Sequence, residues 1–376
     1  MLKFKIESTK DTSTEGIRRL VHQVHMEKIS FILFFASTEF NFKQVNELFQ
    51  NEYFNVPIIG GTSQGELVEE GYSQGNLVAL SIYGDDFKIE ALVLEEFKRK
   101  GMLYKKNVQQ KIKDLGIDLK DSHMKEKFFA ISLIDGLSSC EEKLSMMLSE
   151  AFNEKEINLV GASCGCLNPT ECYLSYNGNI YHDAAILLFV RTNKKVVIYN
   201  ENIYEPIGKK HRVTSADISK RLVKTVDGLP IEKVYAKELG INEKDLGDAI
   251  FAVHPIGRIV GEKSYIASPV CLVPGEGIKF YVRVMPGSSF YFMKSENSID
   301  KATETQVYLK EQMSNPQIIL AFSCILRYVQ FMQQRTTKKM YQQLRDIAPV
   351  FGITTLGEQI SLTPVNQTLT LLAIEE

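Results

Sequence analysis

The stretch that decides the fold is Pro57-Ile-Ile-Gly-Gly-Thr-Ser-Gln-Gly-Glu-Leu67, because it returns one hundred positions later as Ile157-Asn-Leu-Val-Gly-Ala-Ser-Cys-Gly-Cys-Leu167. The identical pairs in this alignment are Gly61 and Gly161, Ser63 and Ser163, Gly65 and Gly165, and Leu67 and Leu167. Each copy follows an apolar run, which predicts the end of a buried strand. Alternate glycines then let the backbone turn and approach closely whatever lies above it.

The surroundings of the two copies repeat as well. Each copy is preceded by a predicted strand and helix and is followed by another strand, so the sequence predicts a duplicated strand–helix–strand–strand unit over about 28–94 and 125–197. The duplication places an N-terminal domain at residues 1–207. The glycine turns Gly61–Gly65 and Gly161–Gly165 are then expected to line a cleft.

Residues 208–376 follow a different pattern. Short apolar runs separated by Pro-Gly turns predict antiparallel hairpins, and Ile250–His254 is one of the predicted strands. A long helix is predicted over 324–346. We therefore expect an α/β fold of two domains, with mixed β-sheets covered by helices and a C-terminal domain richer in antiparallel strands.

Composition limits the classes of function. The 376 residues are ordinary in hydrophobic and charged content, and the net charge of −2 gives no electrostatic case for a nucleic-acid partner. No apolar stretch is long enough to span a bilayer, and the N-terminus lacks a signal peptide, so we expect a cytoplasmic protein without a membrane partner. The six scattered cysteines predict reduced thiols, and neither they nor the histidines have the spacing of a metal site.

The residues suggest two kinds of site, one with a nucleophile and one that binds a charged ligand. The pattern G-x-S-x-G of serine hydrolases occurs at Gly61–Gly65 and Gly161–Gly165, but the residues after Gly65 lack the apolar repeat of the helix that this motif needs, and two copies favour a structural turn. Cys324 lies where a predicted strand passes into a helix, so the helix dipole could favour its thiolate. Arg327 in that helix and Glu358 in a glycine turn could hold the carboxylate and the ammonium group of a zwitterion.

The C-terminal region resembles the C-terminal module of the FIST family (F-box and intracellular signal transduction proteins). The matching segments are Arg212-Val-Thr214, Asp227-Gly-Leu-Pro230 with Tyr235, His254-Pro-Ile-Gly257, Phe322-Ser-Cys-Ile-Leu-Arg327, Leu356-Gly-Glu358 and Asn366-Gln-Thr368. The segment Ile59-Gly-Gly-Thr-Ser-Gln-Gly-Glu66 is similar to the N-terminal module. One departure is Leu326, which stands where the family usually has glycine.

The resemblance implies a sensory protein and not an enzyme. It implies a small ligand, such as an amino acid or a small carboxylate, bound between the domains without a cofactor. The residues that we expect to bind it are Arg327, Cys324, Glu358, Asn366, Ser63, Gly61, Gly65 and Ser163. Family members act with histidine kinases, cyclic-dinucleotide enzymes and chemoreceptors, so we expect the signal to pass to a separate protein of these kinds.

Two other classes of function stay open at this point. Some members of the family bind haem, so a haem-dependent sensor of nitric oxide is one alternative, with His254 or His182 as the axial ligand. An enzyme that uses Cys324 or Ser63 as its nucleophile is the other, although no triad partner is recognisable in the sequence.

Overall fold

Three mixed six-stranded sheets and one antiparallel sheet make up the computed structural model, which describes residues 1–166, 172–261 and 263–376. The α/β class, the mixed sheets covered by helices and the two-part arrangement are confirmed. Leu167, which closes the predicted repeat, lies outside the described residues.

The chain forms three similar units, which we call units one, two and three. Unit one contains β1 (Leu2–Thr9), α1 (Thr14–Gln23), β2 (Phe31–Ser37), α2 (Phe42–Glu52), β3 (Ile58–Ser63), β4 (Glu66–Val68), β5 (Gly71–Ser73) and β6 (Leu77–Gly84). Unit two contains β7 (Lys88–Leu94), α3 (Phe97–Lys100), α4 (Lys105–Asp114), β8 (Phe128–Asp135), α5 (Glu141–Ala151), β9 (Leu159–Cys164), β10 (Leu174–Tyr176), β11 (Asn179–Tyr181) and β12 (Ala185–Arg191).

Unit three is interrupted by an insertion, residues 204–295, which we call the cap. Unit three begins with β13 (Val196–Asn202). The cap contains β14 (Tyr204–Asp217), β15 (Leu222–Val226), β16 (Leu229–Pro230), α6 (Ile231–Leu239), α7 (Asp248–Phe251), β17 (Ile256–Val260), β18 (Lys263–Ala267), β19 (Pro269–Val273), β20 (Gly277–Phe280) and β21 (Ser289–Ser295). Unit three resumes with α8 (Ser298–Gln312), β22 (Pro316–Cys324), α9 (Ile325–Gln334), α10 (Thr337–Arg345), β23 (Val350–Thr355), β24 (Gly357–Ile360), β25 (Thr363–Val365) and β26 (Thr368–Glu375).

Each of the three mixed sheets is completed by a hairpin from another unit. Sheet one has the strand order β1-β6-β2-β3-β10-β11, sheet two β25-β24-β9-β8-β12-β7, and sheet three β13-β26-β22-β23-β4-β5. Unit two therefore supplies the hairpin of sheet one, unit three that of sheet two, and unit one that of sheet three. The exchange joins the three units into one body.

Alternation along the strands places the apolar core of the body at its centre. Leu33, Ile131 and Leu320, on the central strands of the three sheets, belong to one buried cluster. The opposite faces are covered by α1 and α2, by α4 and α5, and by α8 and α10. The helices form here because their apolar residues recur on one side, as with Ile17 and Leu20 of α1, which begins at the side-chain cap Ser13.

The strand register corrects the alignment of the repeat. In the parallel pairs β2–β3, β8–β9 and β22–β23, the residues at equivalent positions are Gly60, Gly161 and Gly352, then Thr62, Ser163 and Thr354, then Ser63, Cys164 and Thr355. The predicted pairing of Gly61 with Gly161 and of Ser63 with Ser163 is thus displaced by one residue. A third copy in unit three was not predicted.

Two predicted elements differ from the structure. Ile250–His254, predicted as a strand, lies in α7 and the turn after it, where Phe251 packs edge-on against Tyr235 at 5.4 Å. The helix predicted over 324–346 is divided into α9 and α10, because Arg335 takes a left-handed conformation with φ of 57°. The domain boundary predicted at residues 207 and 208 falls within β14 and stays a prediction.

We expect Gly352→Ala to destabilise the fold strongly. A Cβ atom at Gly352 would lie 1.9 Å from the backbone oxygen of Ala321 on the neighbouring strand, which only a backbone shift can relieve. Urea unfolding should show a loss of about 2–3 kcal/mol or more. Gly247→Ala is the matched control, because a Cβ atom there would meet nothing within 4 Å. Equal stability of the two variants would contradict the packing described for the strand pair.

Candidate functional site

The carboxyl ends of the three parallel strand pairs lie at one end of the body. Their last inward-facing residues are Ser37 and Ser63 in unit one, Asp135 and Cys164 in unit two, and Cys324 and Thr355 in unit three. Each of these side chains is buried. In α/β folds, ligands bind outside the carboxyl ends of parallel strands, so this end is where a site is expected.

The cap covers this end through two polar attachments. The guanidinium of Arg221 donates to the carboxylates of Glu141 at 2.7 Å and Glu142 at 2.6 Å, at the start of α5. On another side, the hydroxyl of Ser268 donates to Oε1 of Gln367 at 2.8 Å. The cap is thus held to unit two and to unit three by charged and neutral hydrogen bonds.

A cavity of about 340 Å³ lies between the two attachments. Residues from all three units and the cap line it: Gln64, Gly136, Leu137, Ser139, Glu141, Cys166, Arg221, Val270, Lys279, Phe280, Tyr281, Val282, Leu356, Gly357, Pro364, Val365 and Asn366. Most of the wall is apolar, with a few polar groups, as in many small-molecule sites.

Asn366 is the predicted site residue that lines this cavity. Its side chain is buried, and its Oδ1 atom has no hydrogen-bond partner among the described residues. A buried amide oxygen without a partner costs free energy that a bound donor would recover. Asn366 therefore brings an amide group with an unsatisfied oxygen to the wall of the cavity.

Arg327 does not reach the cavity. It is fully buried behind sheet three, where it forms an ion pair with Glu201 of β13 and lies over the ring of Phe331 at 5.1 Å. Its Nε atom has no partner among the described residues. Arg327 is therefore not placed to make the predicted contact with a ligand carboxylate, because its charge is already paired with the carboxylate of Glu201.

Glu358 is buried beneath the cavity wall and is held by neutral groups. Its Oε1 atom accepts a hydrogen bond from the Thr355 hydroxyl, and Oε2 accepts from the hydroxyl of Thr368 at 2.9 Å. Burial away from water raises the pKa of Glu358 to about 8, despite these hydrogen bonds. At neutral pH the side chain is thus mainly a neutral acid, and not the predicted anion for an ammonium group.

Glu66 is the counterpart of Glu358 in unit one, and sequence reasoning missed it. Its carboxylate accepts from the Ser63 hydroxyl at 2.5 Å and from the backbone N–H of Asn76 at 3.0 Å. Burial raises its pKa too. The signal was present in the sequence, since Thr62-Ser-Gln-Gly-Glu66 and Thr354-Thr-Leu-Gly-Glu358 share a threonine, a hydroxyl residue, a glycine and a glutamate in register.

Cys324 lies at the start of α9, as predicted, but its thiol is buried. Burial and the nearby Glu358 raise the pKa of Cys324, which outweighs the lowering effect of the helix N-terminus. The expectation that the helix dipole favours the thiolate is therefore wrong. Leu326, at the position where the family usually has glycine, is half-buried on the same helix.

Three of the remaining predicted residues, Ser163, Gly61 and Gly65, contribute to the packing and hydrogen bonding behind the cavity wall. Ser163 donates to Oε1 of Glu141 at 3.0 Å, which links the cavity wall to β9. Gly61 and Gly65 permit close packing, since a Cβ atom would lie 2.7 Å from Sγ of Cys164 and 2.9 Å from Oγ1 of Thr354, respectively. Neither glycine borders the cavity.

The two histidines considered for haem lie elsewhere. Nδ1 of His254 is 3.2 Å from the backbone oxygen of Met293, and Nδ1 of His182 is 3.1 Å from that of Cys172. The described residues that line the cavity include no histidine. Among the described residues, no cluster of three or more His, Cys, Asp or Glu side chains could hold a metal ion. None of the helices in the described part of the chain is long and apolar enough to cross a bilayer.

Comparison with known proteins gives one strong similarity. The sequence matches the FIST N domain over residues 30–229 and the FIST C domain over residues 233–361. No curated protein matches the chain.

Solved structures give weaker matches. A chorismatase has 9% identity and a TM-score of 0.38, with 100% of this chain and 98% of that chain covered. Cyanuric acid hydrolase from A. caulinodans has 7% identity and a TM-score of 0.36, with both chains covered to 100%. PurLQS from Thermotoga maritima has 10% identity and a TM-score of 0.21, with 100% and 73% covered. Similarities of this size carry no inference about function.

We expect Glu358 to make the stability depend on pH. Its pKa of about 8 in the folded protein lies above the value of roughly 4.3 for an unfolded chain, so folding favours the protonated form. That stabilisation is complete below the unfolded pKa and is lost as the pH rises towards 8, at up to about 1.4 kcal/mol per pH unit.

Urea unfolding at pH values between the unfolded and the folded pKa of Glu358 checks this expectation. Glu358→Gln should flatten the dependence, because its amide keeps the shape of the neutral acid and the Thr355 hydroxyl can accept from it. Glu69→Gln, with a side chain 84% exposed, is the control and should leave the dependence unchanged. A Glu358→Gln profile parallel to that of the wild type would contradict the raised pKa.

Iodoacetamide should modify Cys271 well before Cys324. Cys271 is half-buried whereas Cys324 is buried with a raised pKa, and the thiolate is the reactive form. Mass spectrometry of the native protein should find the first label on Cys271, and Cys271→Ser should remove it. Rapid labelling of Cys324 would instead support a reactive nucleophile.

Proposed function

The chain belongs to the FIST family, whose domains are associated with sensory ligand binding in signal transduction, and on this premise we propose that it senses a small ligand in the cavity under the cap. The observation that carries the proposal is Asn366, whose Oδ1 atom is buried without a partner in the wall of that cavity. The site lies between two parts of the molecule, a common position for ligand pockets.

The wall chemistry favours a ligand that is polar at one end and apolar at the other. Oδ1 of Asn366 requires a hydrogen-bond donor, such as an ammonium group. Lys279 of the cap, at the exposed rim, provides a cation for a carboxylate. Val270 and Val365 belong to the apolar wall between them. An amino acid meets all of these requirements, and a small carboxylate with a hydroxyl or N–H group meets most of them.

The proposed ligand contact differs from the residues expected from the sequence. Asn366 touches the ligand in this proposal, whereas Glu358 supports the strand behind the cavity wall and Arg327 supports helix α9 through Glu201. The carboxyl groups of Glu358 and Glu66 hold the ends of strands β23 and β3, because they accept hydrogen bonds from the hydroxyls of Thr355 and Ser63. The ligand therefore meets a preformed wall on the body and a second wall on the cap.

Signalling follows from the position of the site between the cap and the body. A ligand that contacts both parts would favour the arrangement in which they are closest, and only this difference in affinity can shift their equilibrium. We propose that a separate output protein in the cytoplasm, such as a histidine kinase, a cyclic-dinucleotide enzyme or a chemoreceptor, reads that arrangement.

The proposed site is tested by a thermal-shift screen of amino acids and small carboxylates, followed by calorimetry of each hit. We expect Asn366→Leu to weaken binding by about tenfold or more, because a desolvated hydrogen bond to a charged donor is lost. Asn315→Leu is the control, since that amide is exposed and lies outside the cavity. A hit that binds a folded Asn366→Leu variant as tightly as the wild type would exclude the cavity as its site.

A further inference from the structure

Residues 98–113 contain seven Lys or Arg residues and no Asp or Glu. They form most of α3, the 3-10 turn Gly101–Tyr104 and α4, all on the outer side of sheet two. Val108 and Ile112 of α4 point inward to the buried cluster under these helices. The charged side chains are therefore left on the outside of unit two.

Large apolar side chains are exposed in the middle of these charges. Leu103 is 76% exposed, and its neighbour Met102 is 37% exposed. Met146 of α5 is 56% exposed, and α5 lies against the same turn, since the amino group of Lys143 donates to the backbone oxygen of Lys98. We call this surface the basic-apolar patch, and it comprises Lys98, Arg99, Lys100, Met102, Leu103, Lys105, Lys106, Lys113, Lys143 and Met146.

Part of the positive charge of the patch is not neutralised within the chain. Arg99 and Lys100 share Glu96, and Lys105 pairs with Glu150. In the part of the chain that the structure describes, Lys98, Lys106 and Lys113 have no carboxylate within 4 Å. The patch is positive although the chain as a whole carries a net charge of −2.

We propose that the basic-apolar patch docks the protein on an anionic lipid surface. Exposed Leu and Met side chains enter the boundary between the head groups and the acyl chains, and the surrounding Lys and Arg side chains bind the anionic head groups. The long stems of the lysines allow their charged ends to stay in the head-group layer. The sequence predicts no membrane partner because it has no apolar stretch long enough to span a bilayer, but docking on a lipid surface requires no such stretch.

Other ligands of a basic surface explain fewer of the observations. A nucleic-acid backbone would satisfy the cations but not Leu103, Met102 and Met146, which would remain exposed beside the phosphates. A lipid surface satisfies both the cations and the apolar side chains. The proposal is independent of the ligand site, although α5 carries both Met146 of the patch and Glu141 of the cavity wall.

Co-sedimentation with vesicles tests the proposal on the full chain. We expect binding to vesicles of phosphatidylcholine mixed with phosphatidylglycerol, and little binding to phosphatidylcholine alone, because each Lys or Arg near an anionic surface contributes about fivefold to partitioning. High salt should weaken the binding, since it screens these charges.

Two variants separate the roles of the apolar and charged side chains. Leu103→Glu should lower partitioning by about tenfold or more, because it replaces an inserted apolar side chain with an anion. Lys106→Glu combined with Lys113→Glu should remove the preference for phosphatidylglycerol. Phe54→Glu is the matched control, because Phe54 is 71% exposed but follows Glu52 at the end of α2, away from the patch.

Several outcomes would overturn the proposal. These are no binding to anionic vesicles, equal binding to both kinds of vesicle, or equal losses in Leu103→Glu and Phe54→Glu. Circular dichroism of each variant distinguishes loss of docking from loss of the fold. If only a soluble acidic protein binds the patch, the surface is a protein interface and the lipid proposal is wrong.

Discussion

The exchange of hairpins between the three units is the interaction on which the rest of the structure depends. Strand β4 of unit one pairs with β23 of unit three, β10 of unit two with β3 of unit one, and β24 of unit three with β9 of unit two. Because each hairpin follows the parallel pair of its own unit and joins another sheet, the three carboxyl ends are brought to one end of the body. Among the described residues, each of the three mixed sheets contains strands from two units, so its backbone hydrogen bonds require another unit.

The crossing of the hairpins also explains why glycines and buried glutamates occur where the chain passes from one sheet to the next. Chains from neighbouring units approach so closely that a Cβ atom at Gly61 or Gly65 would collide with the next unit. Where the hairpin starts, Glu66 and Glu358 bond back to the hydroxyl of the residue three positions earlier and to the start of the following strand. Each glutamate thus ties three segments of its unit together through neutral hydrogen-bond donors, and burial away from water is the main cause that raises its pKa.

The sequence predicted the class of the fold and the duplication in its first half because apolar runs and glycine turns are local signals. It did not reveal unit three, because the cap separates β13 from α8. Over 354–358 the third copy is identical to unit one only at Thr354, Gly357 and Glu358. The sequence also predicted that Arg327 binds an anionic ligand, since this arginine lies in the first turn of a helix. Its true partner, Glu201, lies 126 positions away, and such a contact is not visible in local patterns. Asn366 was predicted through the family resemblance alone.

The central claim is that the cavity between the cap and the carboxyl ends of the three units holds the ligand of this FIST protein. The most direct measurement is a crystal structure of the protein purified natively from its own cells, with any small molecule that remains bound. The account predicts density for a small molecule within hydrogen-bond distance of Oδ1 of Asn366, between Lys279 and the apolar wall. Density for a bound molecule at another place, with this cavity filled by water alone, would contradict it.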